Sequence, residues 1–573
     1  MVLLRLFLFG VSTIGTFELI RKACDDKVNI YFLPSLTIAI QVTVLFLAGL
    51  LNILPEVTIC LYLVGFAGII HSIYKEKNLT FMKAYINIGY MFLLILLLIF
   101  AVYLKGKKFS HYDTFSHWGT VVRRMLEVNR YPNFDDDFIM FKEYPLGSST
   151  YIYYFARLIG TSESIQMLAQ SYMILTAVLP LYSFAKRNHL AVSAAVISFV
   201  NYVLLYNIKI TDLLVDTLLP LAGISGILFA YLHCKDGRKI MFYFAAFYMV
   251  QLIQIKNSGI FFAAIMAIQL IIFARKNREC LHGGISIALP FISFLLWHKH
   301  CRYVFYSAAT SKHAMTVENF KRVFEAKTKE NIIQICNSFL KFAVTYKELW
   351  ITVGIGALIG MLIFLINKEK FGKAFLKIAL FSLAVYVAYQ IGMLAMYLFS
   401  MPGGEATSLS SIDRYTKTVL TAVLYLNMIP AVLVIGQLHK KRVKMIITTG
   451  CVFASFFVGM YISSGSITTV VQDEPDASER NWFENAALKY NVSMYESYCN
   501  LIPTEDSGYA YCLGLYLFQS DEITSKVIEN DDDLNDISSK YIFVYDQDNE
   551  IIQNWIRANY PEQLGNEVII QTE

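Results

Sequence analysis

The chain has 573 residues, of which 56% are hydrophobic and 16% charged, more apolar surface than a soluble domain of this length can bury, so a soluble globular enzyme is excluded. The net charge of +5 conceals a division: residues 463–573 carry 21 acidic and 5 basic side chains, and the residues before them 23 and 44. Basic excess of this kind is what cytoplasmic loops between membrane spans contribute, so it does not point to nucleic acid. The alternation expected of a transmembrane β-barrel is absent.

Apolar runs of the length a helix needs to cross a bilayer recur from the N-terminus to about residue 462. The first, Val2 to Ile20, lacks a small-residue cleavage site and reads as a retained helix. Further spans are expected at 29–52, 56–73, 86–104, 164–185, 189–206, 211–233, 240–256, 258–274, 283–298, 347–367, 373–399, 417–438 and 443–462, about fourteen in all. Lys/Arg clusters occupy every second connection: Arg21/Lys22/Lys27, Lys75/Lys77/Lys83, Lys186/Arg187, Lys235/Arg238/Lys239, Arg275/Lys276/Arg278, Lys368/Lys370/Lys373 and Lys440/Lys441/Arg442/Lys444. By the positive-inside rule these face the cytoplasm. The loop 105–163, residues 299–346 and 400–416, and the tail then face outward, with Lys105, Lys107 and Lys108 as an outward exception.

In the loop 105–163, Phe115, Trp118, Val122 and Met125 recur at helical spacing opposite Asp113, His117, Thr120 and Arg124, which predicts an amphipathic helix on the membrane surface. A second surface helix is expected from Pro145 to about Leu158, and a third within 316–345. The tail reads as a small α/β domain, with helices at Arg480–Tyr490 and Glu550–Tyr560 and strands at 541–545 and 567–570. Its Asp531-Asp532-Asp533 run reads as a solvated loop. The domain plan is thus a transmembrane part, 1–462, and a soluble extracytoplasmic part, 463–573. The nine cysteines form no metal-binding spacing, and only Cys499 and Cys512 are disulfide candidates, with a free pair as the alternative.

Candidate chemistry begins at His111-Tyr112-Asp113-Thr114-Phe115-Ser116-His117-Trp118, just beyond the span 86–104. Asp113 is the strongest candidate to carry chemistry, combining a membrane-exit position, an outward side and a helical face shared with His117; an Asp before a helical run also caps it, and the two roles are compatible. Asp212 and Asp216, four residues apart at the outer end of a span, should share one helix face, with Asp216 deeper and lining a polar cavity. Lys256, followed by Asn257-Ser258-Gly259, and Arg414, within Asp413-Arg414-Tyr415, place cations at the outer leaflet, where they suit a phosphate or ordinary snorkelling. Tyr144-Pro145-Leu146-Gly147 reads as a rigid turn shaping the pocket, to which Tyr144, Asp212 and Arg124 would contribute. Asp135, Asp136, Asp137 and Glu143 are a plain acidic loop, a source of a second carboxylate, or an oxygen-rich site for Mg²⁺ or Mn²⁺. His111, His298, His300 and His313 read as interfacial. No GxSxG, Walker A, GxGxxG or HExxH pattern stands in a suitable context, which weighs against a hydrolase or an ATP-driven pump.

The layout of a span followed at once by a large outward loop with an early acidic residue, then many spans and a soluble tail, resembles the GT-C superfamily of integral membrane glycosyltransferases. Asp113-Thr114-Phe115-Ser116-His117-Trp118, Tyr144-Pro145-Leu146-Gly147, Lys256-Asn257-Ser258-Gly259 and Asp413-Arg414-Tyr415 are similar to bacterial members of it. Four spans before the acidic loop, in place of one, depart from its common pattern. The resemblance implies an all-α multi-pass fold and transfer of a sugar from a polyprenyl-phosphate donor to a cell-envelope glycan or lipid acceptor on the outer face of the cell membrane, with inversion. It implies Asp113 as base, Lys256 and Arg414 on the donor phosphate, His117 and Asp216 orienting hydroxyls, and a divalent cation in some members only. The rivals are a lipid-linked glycan ligase or polymerase, which would lean on outward Arg and His, and a transporter, which would favour inverted repeats and broken helices.

Overall fold

The computed structural model describes residues 1–186, 188–206, 210–305, 317–437, 478–504 and 508–571, together with 445, 448 and 450. The expected span 443–462 and the boundary at 462/463 lie almost wholly outside these residues, as do His313, Arg187, the link 207–209 and the basic cluster 440–444.

Apolar runs become helices because a helix satisfies every backbone polar group within itself. In chain order they are α1 (Val2–Ala23), α2 (Leu33–Leu50), α3 (Leu54–Glu76), α4 (Ile88–Leu104), α5 (Gly119–Val128), α6 (Gly147–Ile159), α7 (Glu163–Val178), α8 (His189–Tyr206), α9 (Leu218–Phe229), α10 (Lys239–Ile255), α11 (Gly259–Asn277), α12 (Cys280–Val304), α13 (Val317–Glu325), α14 (Lys329–Thr345), α15 (Lys347–Phe399), α16 (Gly403–Thr407) and α17 (Ile412–Ile435). Among the described residues, nine helical stretches are long and apolar enough to cross a membrane. Shorter apolar helices at Ile88–Leu104, His189–Leu204, Leu218–Cys234 and Lys239–Ile255 occupy four more of the expected spans. Expected spans 347–367 and 373–399 fall in one continuous helix, α15. This helical run folds back on itself, since Gly360 faces the Phe375 ring, and its second half also meets α14, where the Tyr386 hydroxyl donates to Ala343 O at 2.8 Å.

Small residues let helices approach closely where the sequence supplies them. A Cβ on Gly15 would stand 1.8 Å from Gly65 O, so α1 and α3 touch through their backbones. Polar side chains close the ends: Asn87 accepts from Tyr90 N at the start of α4, and Thr328 from Asn331 N at the start of α14.

The tail is the expected α/β unit, with helices α18 (Ser478–Lys489), α19 (Tyr509–Phe518) and α20 (Glu550–Asn559) and strands β1 (Tyr498–Leu501), β2 (Ile523–Lys526), β3 (Tyr541–Val544) and β4 (Val568–Ile570). The strand order is β2-β1-β3-β4, with β1 parallel to both neighbours and β4 antiparallel to β3. Alternation divides the sheet's two faces. Cys499, Leu501, Ile542 and Val544 pack on Ile552 and Ile556 of α20, whereas Phe543, on the other face, meets Phe483 of α18 and Phe518 of α19. Asp531–Leu534 is a short 3-10 turn closed by reciprocal bonds with Asn530. Cys499 and Cys512 are both buried free thiols.

Two expected surface helices are interior instead. In the segment 113–126, His117 and Thr120 on the expected wet face are as buried as Phe115 and Val122 on the other. The tail covers one side, placing Tyr509 and Tyr516 of α19 on the Phe115 ring, and Phe141 and Tyr144 enclose His117 on the other. In the second, every residue from Gly147 to Ala156 is buried, because α6 packs between α2, α5, α7 and α10.

Candidate functional site

After α4 the chain turns through His111, whose Nδ1 accepts from Asp113 N at 3.1 Å, into a wide π-type turn over Thr114–Trp118. The extra residue per turn shifts the face each side chain presents. Asp113 accepts from an Arg414 NH group in the first turn of α17. Arg414 Nε also stands 3.8 Å from Asp216, and the other Asp216 oxygen accepts from Lys256 Nζ at 2.8 Å. The four groups, two of each sign, thus form one chain: Asp113, Arg414, Asp216, Lys256. The Tyr415 ring completes it, with its centroid 5.1 Å from Lys256 Nζ and 5.4 Å from Arg414 Cζ. Asp216 is buried, and the two cations keep some exposure.

Each member has a local reason for its position. Residues 211–217 are turns rather than helix, so Asp212 and Asp216 do not share a helix face as expected. Irregular backbone inside a helix bundle must find its hydrogen bonds elsewhere. Here Gln170 donates to Asp212 O and Leu214 O, Leu213 N donates to Thr114 Oγ1, and the Asp212 carboxylate accepts from Leu214 N. Asp212 therefore shapes the loop, and Asp216 reaches the cluster. Lys256 ends α10 in an extended conformation, and the Lys256-Asn257-Ser258-Gly259 turn closes with Gly259 N donating to Lys256 O at 2.7 Å. A Cβ at 259 would meet Leu252 O at 1.9 Å, so only glycine lets α11 begin there. Arg414 follows Ser411, whose left-handed backbone (φ 60°) swings the chain into α17.

Beside the cluster lies a cavity of about 580 Å³, lined by Tyr144, Lys256, Asn257, Phe261, Tyr389 and Met393 among others. Its walls are mostly apolar, and Lys256 and Asn257 give it a polar end. Arg414 Nε and Asn257 Oδ1 are buried without hydrogen-bond partners. Tyr144 reaches the cavity because Gly147 seats α6 directly on α10: a Cβ there would lie 2.7 Å from both Cβ and the carbonyl oxygen of Gln254. Gly147→Ala should therefore cost about 2 kcal/mol of stability, read as earlier thermal unfolding of the purified protein in detergent.

Other expected members stand apart. His117 is enclosed by the rings of Trp118, Phe141 and Tyr144, with neither ring nitrogen hydrogen-bonded, and burial pushes its pKa down to about 3. It is a neutral imidazole behind Tyr144. Arg124 does not line the pocket: its Nε donates to Asp136 at 2.6 Å and an NH group to Tyr495 of the tail at 3.1 Å. Asp136 is fully buried and also accepts from Arg130 at 2.7 Å and Asn133 N at 2.8 Å. Asp137 pairs with Lys142, and Asp135 lies 3.9 Å from Arg130.

Asp136 has its oxygens committed to guanidinium and amide donors, so the three carboxylates do not fit a resident Mg²⁺ or Mn²⁺. Among the described residues no group of three or more metal-ligating side chains converges. Asp136→Asn should destabilise the protein by about 3 kcal/mol, since it leaves two inward-facing arginines short of their counter-ion, measured as a lower unfolding temperature.

Sequence reasoning gave no role to Gln170, Tyr389 or Met393, because long-range contacts alone bring them to the site. Comparisons of the chain with protein-family models, with curated proteins and with solved structures find no match.

Proposed function

We propose that this chain is a GT-C-like membrane glycosyltransferase that moves a sugar from a polyprenyl-phosphate donor to a glycan or lipid acceptor at the outer face of the cell membrane. What supports the reading is the meeting of Asp113, Asp216, Lys256 and Arg414, drawn from four separated segments, in one ion cluster at the edge of an apolar cavity. Buried charge of this kind is costly inside a membrane protein and marks function.

The chemistry follows from the residues. Without donor, Arg414 bridges Asp113 and Asp216. A phosphate at the cavity's polar end competes with Asp113 for Arg414 and is held jointly by Arg414 and Lys256, which frees the Asp113 carboxylate. Asp113 then takes the acceptor hydroxyl proton as that oxygen attacks the anomeric carbon, and the bond from this carbon to the phosphate oxygen breaks, with inversion. The phosphate leaves with the electron pair, its growing charge compensated by the two cations. Asp216 holds both cations in place throughout. The apolar cavity walls suit the first units of the donor's lipid chain.

The test is transfer itself. The purified chain in lipid nanodiscs, given radiolabelled polyprenyl-phosphate sugars and envelope acceptors, should move label from lipid to acceptor. Label that stays on every donor offered contradicts the reading.

A further inference from the structure

The tail meets the rest of the chain through a buried cation. Arg480, in α18, is 3% exposed and donates two hydrogen bonds to the Glu163 carboxylate, at 3.0 and 2.6 Å. The same guanidinium donates to the carbonyl of Phe109 at 2.5 Å and sits over the rings of Phe115 and Tyr516, each centroid 5.5 Å from Cζ. Glu163, the first residue of α7, completes the arrangement by accepting from Phe109 N and from the Tyr516 hydroxyl at 2.8 Å. Phe109 and Phe115 flank Asp113 on its two sides.

This is more than attachment of a domain. Asp113 sits in the first turn of a short helical stretch, but residues 107–111, which lead into it from α4, have no regular secondary structure to hold them. Besides the contacts of Asp113 with Arg414 and of Thr114 with Leu213 N, this lead-in is held by the Arg480–Glu163 pair, which grips both the N–H and the carbonyl of Phe109, and by the same arginine lying on Phe115. The planar fork of arginine can bond a carboxylate and a carbonyl together while stacking on rings, which a lysine cannot do. A buried pair that satisfied in its hydrogen bonds specifies one arrangement. We infer that Arg480, acting through Glu163 and the backbone of Phe109, is a positioning residue for Asp113, so that the C-terminal domain is a working part of the transfer site. The catalytic half of this inference rests on the transferase reading; the mechanical half does not.

The experiment uses the full chain in nanodiscs as wild type, Glu163→Gln, Arg480→Gln and the double variant, with hydrogen exchange and turnover read on each. Peptides covering 109–118 should exchange about tenfold faster in either single variant and no faster in the double, because the two residues act as one unit. Peptides from α2 should be unchanged. Turnover should fall about tenfold or more with donor KM unaltered, as a misplaced base slows chemistry rather than binding. Wild-type exchange over 109–118 in both single variants overturns the clamp. Faster exchange with wild-type turnover overturns its role in positioning. Should Arg480→Gln fail to assemble, Glu163→Gln, which keeps the arginine and the side-chain volume, decides by the same readings. A wild type inactive on every donor contradicts the transferase reading instead, and the exchange data still judge the clamp.

Discussion

Asp113→Asn leaves the protein folded and membrane-inserted but lowers kcat by about a thousandfold, the scale of a lost general base. The amide has the shape of the carboxylate and can still accept from Arg414, so the contact that ties the loop to α17 survives. Arg414 also keeps its second counter-ion, Asp216. What the amide cannot do is take a proton from an attacking hydroxyl. The measurement is kcat in proteoliposomes, with elution profile and unfolding temperature showing that wild type and variant are equally intact. Turnover within a few fold of wild type would remove Asp113 from the role of base and pass the search to Asp216.

Replacing Arg414 has two consequences that can be separated. Arg414→Ala takes away the cation between Asp113 and Asp216, leaving Lys256 alone against two carboxylates, so stability should fall together with donor affinity. A charge-assisted contact to phosphate contributes about 1.5–3 kcal/mol, so donor KM should rise about thirtyfold. Asp216 keeps Lys256, so Asp113 is the carboxylate left without its cation; adding Asp113→Asn to Arg414→Ala should restore much of the unfolding temperature while leaving donor affinity low. Arg414→Lys should keep the charge but lose the reach to both carboxylates and sit between. An unchanged donor KM in Arg414→Ala would exclude the guanidinium from the phosphate site, whatever the stability.

The parts of the molecule legible in the sequence are those set by local chemistry. Long apolar runs had to be helices, and Lys256 and Arg414 stood out as cations at the ends of such runs. Asp113 and Asp216 stood out as carboxylates beside them. The parts that were not legible depend on contacts distant in the chain. Helical spacing placed His117 on a wet face, but spacing says nothing of what covers that face, and Phe141 and Tyr144 close over the imidazole only once the loop has folded. The π-type turn over Thr114–Trp118 also breaks the 3.6-residue count on which the face was drawn. Asp212 and Asp216 looked like neighbours on a helix because Gln170 and Thr114, which satisfy the turn 211–217, are invisible from that segment alone. Strands β1 and β2 escaped because Tyr498-Cys499-Asn500-Leu501 is buried on both faces, and Ile523–Lys526 is four residues at a sheet edge; neither shows a clear alternation. Asp136 read as a metal candidate since its partners Arg124 and Arg130, though near in sequence, point inward only once the loop has folded.

The claim on which the account turns is that a polyprenyl phosphate leaves as Asp113 activates the acceptor. The measurement that tests it most directly is the release of free polyprenyl phosphate by the wild-type protein in proteoliposomes, followed alongside sugar transfer. The account predicts one polyprenyl phosphate freed for each sugar transferred, and almost none in Asp113→Asn. Sugar transfer without release of the phosphate, or equal release by the variant, would contradict it.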